Sequence, residues 1–313
     1  RTHADGRAGM TPTLAEYLDE EIGAAVDHFW LAAVFRRGID HAQHLDDALH
    51  AVEVAQLFLE GGENAEAGVA REAVALIDRE VAAELALCCR VLVPDRRGYG
   101  GSAAMGASVS LEDHVNDLAA LLDSYDIEAA VFAGVSGGAT IILAFALAHP
   151  QRVISALVHE PALGSLAPAL AAILENANEQ LRADRDRGNA VLDAAEAATD
   201  FVAQLVGPST WGRLPDSWKL LVAAHADVIA VEIPQFLAFS PSAADLATLR
   251  SLRMVASHGS LSNQARRDVT AALVKHAGAQ EIQIEGAAHA AHVDMPEAFA
   301  AVIRDLVLEQ AAA

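Results

Sequence analysis

Residues 133–140 read AGVSGGAT, and the run Gly134-Val135-Ser136-Gly137-Gly138 sets one serine among residues with little side chain. A serine hydroxyl is a weak nucleophile until an adjacent base takes its proton, so it must stand where a base and a substrate can reach it. The apolar run 130–135 before it has strand character, and the apolar run 138–148 after it has helical character. A turn this tight between strand and helix needs small flanking residues. It lifts the serine oxygen above a sheet and sets it at a helix N-terminus. The spacing G-x-S-x-G alone carries little, because a glycine-rich structural turn can also hold a serine. The strand–turn–helix context favours Ser136 as a nucleophile. Other chemistry-bearing residues are less organised. His41, His44 and His50 fall in a polar segment that no Cys or well-spaced carboxylate joins, so no metal is expected. Cys88 and Cys89 are adjacent and form no spaced disulfide framework, which fits a reducing compartment.

The elements that would position Ser136 follow from the surrounding rhythm. The run RVLVPD at 90–95 reads as a short buried strand. SLEDHVNDLAALLDSY then reads as an amphipathic helix opened by Ser110 and Asp113, spaced as a capping box. The strand before Ser136, the helix after it and the strand RVISALVHE continue an alternation that implies an α/β fold with a mostly parallel sheet and helices on both faces. Residues 166–245 break the rhythm with several helical stretches and read as an insert over the sheet. Strands return with LRMVASHG and AQEIQIEG. The last helix follows, with Asp294 placed to cap it and Pro296 in its first turn. Residues 13–36 have helical periodicity, and a helix is also expected over 65–88.

At 313 residues the chain can bury a large core, and its 53% hydrophobic content fits a folded protein. It carries 43 acidic and 21 basic residues, a net charge of −22, which argues against nucleic acid and against anionic membrane surfaces as partners. No apolar run reaches the ~18 residues of a membrane span, and the start RTHADGRAGM lacks the apolar centre of a signal peptide. A cytoplasmic protein acting on a small molecule is the expectation.

Taken together, VLVPDRRGYGGS, LEDHVNDLAALLD, VFAGVSGGATIILAFALAHPQRVISALVHEPAL and IEGAAHAAHVDMPEAFA resemble an α/β-hydrolase. The resemblance divides the chain into an atypical segment 1–50, a core over 51–165 and 246–313, and a helical cap over 166–245. Within that superfamily it is similar to esterase-like members with a serine nucleophile. A haloalkane dehalogenase or epoxide hydrolase would carry Asp at position 136. The resemblance implies His289 as the base, in the loop after strand 280–285, with His292 a poorer match and His258 in the wrong loop. It implies an acid after strand 253–257, but Ser260 and Ser262 stand there. The alternative acid position, after the preceding strand, offers Glu160; Asp268 is a fallback inside a helix. Glu160 ends an apolar run before Pro161, which sets it on the same sheet edge as Ser136. The implied oxyanion hole uses the backbone N–H of Gly137 and of Gly61 or Gly62, with Glu60 where the family often has His. At the N-terminus the family implies a β-hairpin, where this sequence reads as helix. Asp95 and Arg96, after a core strand, read as structural.

The leading reading is a serine hydrolase that cleaves an ester or related acyl bond through an acyl-enzyme, with no cofactor. Trp211, Trp218, Phe236 and Phe239 of the cap either cover an apolar substrate pocket or form cap core. The alternatives are a C–C bond hydrolase acting on a diketone with the same three residues, and a degenerate, non-catalytic binding protein.

Overall fold

A computed structural model describes residues 31–35, 52–53, 81–82, 84–85, 89–99, 102, 109–186, 192–214 and 216–309. The described strands are β1 (Leu31–Phe35), β2 (Val52–Glu53), β3 (Arg90–Leu92), β4 (Ala130–Val135), β5 (Val153–His159), β6 (Arg253–Gly259) and β7 (Gln280–Ile284). They form one sheet in the order β2-β3-β1-β4-β5-β6-β7. β2 with β3 and the run from β4 to β7 are parallel, whereas β1 is antiparallel to both its neighbours. Of the segment 13–36, where a helix is expected, residues 31–35 form the strand β1 instead, and the remainder lies outside the described residues. An unbroken apolar run of this length suits a doubly covered strand as well as a helix, and periodicity does not separate the two. Pairing on both sides with β3 and β4 fixes it as strand.

The alternation along β4 assigns its two faces. Ala130 and Phe132 join a core with Leu118 and Leu122 of α1 (Leu111–Ser124), Ile142 and Phe145 of α2 (Gly137–Ala148), and Val269 and Leu273 of a later helix, Gln264–Ala277. Val131, Ala133 and Val135 face a second core with Phe299, Ile303 and Leu306 of the terminal helix. The capping box that opens α1 is present: the Ser110 side chain accepts from Asp113 N, and the Asp113 carboxylate accepts from Ser110 N at 2.9 Å.

Between β5 and β6 the chain runs through α3 (Pro168–Asp186), α4 (Leu192–Val206), α5 (Pro208–Arg213), α6 (Asp216–Ala224), α7 (Ala226–Ala238) and α8 (Ala243–Thr248). Phe201, Val202, Trp218, Val222 and Ile229 give these helices a core of their own. One buried carboxylate ties α7 to the sheet domain. Glu232 receives both Arg96 guanidinium nitrogens, the Tyr99 hydroxyl at 2.6 Å and the His114 ring at 2.7 Å. Burial opposes its ionisation, but Arg96 and His114 outweigh that and hold its carboxyl at about 2. Arg96 therefore joins the segment after β3 to α7. After β6 come α9 (Gln264–Ala277), α10 (Ala291–Asp294) and α11 (Pro296–Glu309). Among the described residues, no single helix is long and apolar enough to cross a membrane.

Candidate active site

Parallel register brings the carboxyl ends of four strands to one edge. Val135 pairs with His159, His159 with Ser257, and Gly259 with Ile284. Ligands in open α/β sheets bind beyond such ends, because the loops there lie next to each other.

Ser136 stands where β4 becomes α2, with φ 55° and ψ −116°. That is left-handed territory for a residue with a side chain, and it persists only where the surroundings enforce it. They do so through the backbone. Ser136 N donates to His159 O at 2.9 Å, and Ser136 O accepts from Thr140 N at 3.0 Å, Ala162 N at 3.3 Å and Thr140 Oγ1 at 3.1 Å. A Cβ on Gly134 would lie 2.8 Å from the Gly138 carbonyl carbon, so strand and helix approach this closely only with glycine there. Gly137 supplies the first amide of α2, and the opening amides of a helix have no acceptor within it.

One strand over, Glu160 also has positive φ, 45°, and is 1% exposed. Its N–H donates to Ser257 O at 3.1 Å. Its carboxylate divides its partners. Oε1 accepts from Gly259 N at 3.0 Å and from the Ser262 hydroxyl; Oε2 pairs with His289 Nδ1 at 2.8 Å and with Arg266 Nη1 at 3.4 Å. Burial would push the Glu160 carboxyl up. The His159 ring, the His289 bond and Arg266 outweigh it and hold the carboxyl well below its usual range. Ser262, one of two serines where the family resemblance implies an acid, thus serves the carboxylate of the neighbouring strand.

The loop carrying His289 is fastened from both sides. Leu261 N donates to Ala287 O at 2.9 Å, and the second of those serines, Ser260, accepts Gly286 N at 2.9 Å. Gly259 allows this approach, since a Cβ there would lie 2.2 Å from Ala287 O. Asp294 does not cap α11. Its carboxylate accepts from Ala288 N at 2.9 Å and from Thr210 Oγ1 at 2.7 Å, and it pairs with Arg213. With its carboxylate taken by these groups, the residue links the His289 loop to α5.

Arg266, which the sequence did not mark, completes the cluster. It is buried in the first turn of α9, with Nη1 in hydrogen-bond reach of both His289 ring nitrogens, 2.9 Å from Nε2. Its Nη2 donates to Leu205 O at 3.3 Å. Burial first, then the Arg266 charge, push His289 down to about 4 against the pull of Glu160, so the ring is neutral at pH 7. Among the described residues the Ser136 hydroxyl makes no hydrogen bond. It faces a small cleft of about 10 Å³, lined by Ala162, Leu174, Phe201, Leu205, Ile233 and Phe236.

Other sequence-marked residues lie elsewhere. Phe236 lines the cleft, but Trp211 and Trp218 stack edge-on at 6.0 Å in the cap core, because that core takes up their ring faces. Phe239 packs against the sheet core. His292 is buried beside Phe299, with ring centroids 6.2 Å apart. His258 turns to Glu281 at 3.2 Å. Asp268 lies exposed on α9, accepting from Gln264 at 2.8 Å. Glu60, Gly61 and Gly62, like His41, His44 and His50, lie outside the described residues. Among the described residues no three potential ligands are grouped to hold a metal.

The sheet order and the tight strand-to-helix turn at Ser136 define a fold class, and comparison with known proteins agrees on it. A model of the Alpha/beta hydrolase family matches residues 68–302, and the chain belongs to that family. It is similar over short stretches to two curated relatives. One is a protein of Mycobacterium phage D29 bearing the name of a non-heme haloperoxidase, 31% identical over 104 residues, 33% of this chain and 37% of that one. The other is Epoxide hydrolase A of Mycobacterium tuberculosis, 41% identical over 76 residues, 23% of this chain and 24% of that one. Both matches span well under two thirds of the relatives' length. A thermophilic esterase from Thermogutta terrifontis, solved with malate bound, shares the fold with a TM-score of 0.59 at 21% identity, over 75% of this chain and 85% of that one.

Proposed function

We propose that the protein is a serine hydrolase that cleaves an ester or related acyl bond of a small apolar substrate. The observation that carries this reading is the strained Ser136 turn beside a buried Glu160–His289 pair on one sheet edge. Ser136 Oγ attacks the substrate carbonyl as Nε2 of His289 takes its proton. Glu160 accepts the Nδ1–H, which fixes the tautomer and stabilises the imidazolium. The amide of Gly137 faces the developing oxyanion. The family resemblance implies Gly61 or Gly62 as the second donor. The imidazolium returns its proton to the leaving group, and water, activated by the same ring, releases the acid from Ser136. The cleft wall of Leu174, Phe201, Leu205, Ile233 and Phe236 takes an apolar acyl or alkyl group. Position 136 is Ser, so the route proposed is acyl transfer whatever the names of the short-range relatives.

A panel of p-nitrophenyl esters tests it. Wild type should turn over short apolar acyl esters, Ser136→Ala should be inactive, and His289→Ala should lose on the order of 10³-fold. Equal turnover by wild type and Ser136→Ala would overturn the reading.

A further inference from the structure

The proposed mechanism gives the helices between β5 and β6 one task, walling the cleft. Their contacts with the His289 loop point to a second. Asp294 joins the two, and its side chain is 3% exposed. Its Oδ2 accepts from the backbone N–H of Ala288, the residue before the base, at 2.9 Å. Its Oδ1 accepts from Thr210 Oγ1 at 2.7 Å and pairs with Arg213, both on α5. Ala288 N, the Thr210 hydroxyl and Arg213 all act as donors here, and a carboxylate can accept on both sides at once, whereas an amide has one accepting oxygen.

The residue after the base is held by the same helices. Ala290 is 4% exposed and belongs to the core that Phe201, Leu214, Trp218, Val222 and Ile229 form, and Val293 packs against that core. Ala290 O accepts from Val293 N and Asp294 N, both at 2.9 Å, which ties the loop to α10. The backbone of His289 is thus bracketed, by Asp294 on one side and by Ala290 on the other. The 2.8 Å bond from Nδ1 to Glu160 depends on where that backbone stands.

We propose that Asp294 is a positioning residue for His289, and that α5, through Thr210 and Arg213, holds the carboxylate that sets the base against Glu160. The part concerning turnover rests on the serine-hydrolase reading; the placement of the ring does not. Thr210, Arg213 and Asp294 are not among the described walls of the Ser136 cleft. Cutting the link therefore displaces the base and leaves those walls intact, and a displacement of about 1 Å costs on the order of 10²-fold in rate.

The test cuts the link on α5 and leaves the His289 loop unaltered. Thr210→Val with Arg213→Met removes both donors from Oδ1. On a p-nitrophenyl ester, kcat should fall on the order of 10- to 10²-fold while KM stays within about threefold. Thr210→Ser, which keeps the hydroxyl, should stay within about twofold of wild type in both. A rise in KM at constant kcat would overturn the proposal, because the link would then serve substrate binding. Proton NMR of the His289 Nδ1–H, assigned from a His289→Asn variant, reads the placement without turnover. In the double variant this resonance should shift and exchange faster with water, as the bond to Glu160 loosens. The same resonance and exchange rate in both proteins would overturn the proposal. If the double variant does not fold, Thr210→Val alone, which keeps the side-chain shape, carries both readouts with the same signs. Absence of turnover in wild type would instead remove the serine-hydrolase reading, while the resonance still decides whether Asp294 places the ring.

Discussion

The two oxygens of Glu160 do different work. Oε1 is held by Gly259 N–H and the Ser262 hydroxyl, which leaves Oε2 directed at His289 Nδ1 at 2.8 Å. Glu160→Gln keeps the shape and removes the anion that stabilises imidazolium, so ester turnover should fall by on the order of 10²–10⁴. Ser262 touches the same carboxylate, and Ser262→Asp added to Glu160→Gln should restore part of the loss by returning a carboxylate to the cluster. Steady-state kinetics of the single and double variants check both statements, with Asp268→Asn as a control expected within a few-fold of wild type. At this scale the sequence was informative where chemistry follows chain position. Ser136, Glu160 and the His289 loop each leave the end of a strand, and strand ends can be read from an apolar run and its punctuation. Arg266 could not be read this way. It looks like one more charge on a helix with Arg267 and Asp268 beside it, and the partners that hold it inward, Glu160, His289 and Leu205 O, come from distant segments.

Elements hold the site through a few buried charges, and α7 depends on one of them. Glu232 neutralises Arg96 at 1% exposure. Glu232→Gln removes the buried anion that Arg96, Tyr99 and His114 share and should cost on the order of 3–5 kcal/mol of unfolding free energy, measured by denaturant titration. The pH dependence has a definite sign. The folded carboxyl sits at about 2 against an ordinary 4.5, so its contribution is complete above about 4.5 and is lost as pH falls through about 2. The stability gap between wild type and Glu232→Gln should therefore shrink over that window and stay constant above it. In the sequence Glu232 reads as a polar position on an amphipathic helix, because its partners Arg96, Tyr99 and His114 come from distant segments. The capping box at Ser110 and Asp113 was legible because all its atoms lie within one turn. Asp294 was misread for the converse reason: its position near a helix start was visible, but Ala288, Thr210 and Arg213, which take its carboxylate, were not. The strand Leu31–Phe35 was misread because an apolar run paired on both sides shows no period.

Among the described residues, the parallel strands β4 to β7 bring together side chains that are remote in sequence, and helices between β5 and β6 line an apolar cleft at one of them. Ser136 and Glu160 both adopt positive φ at neighbouring strand ends, each a strain of about 1–3 kcal/mol that packing sustains. The central claim is that this arrangement makes Ser136 a nucleophile with His289 as its base. Peptide mapping of the protein after reaction with a fluorophosphonate measures it most directly. The account predicts one adduct, on Ser136, absent in Ser136→Ala and slowed on the order of 10³-fold in His289→Ala. An adduct on another residue, or unchanged labelling in Ser136→Ala, would contradict it.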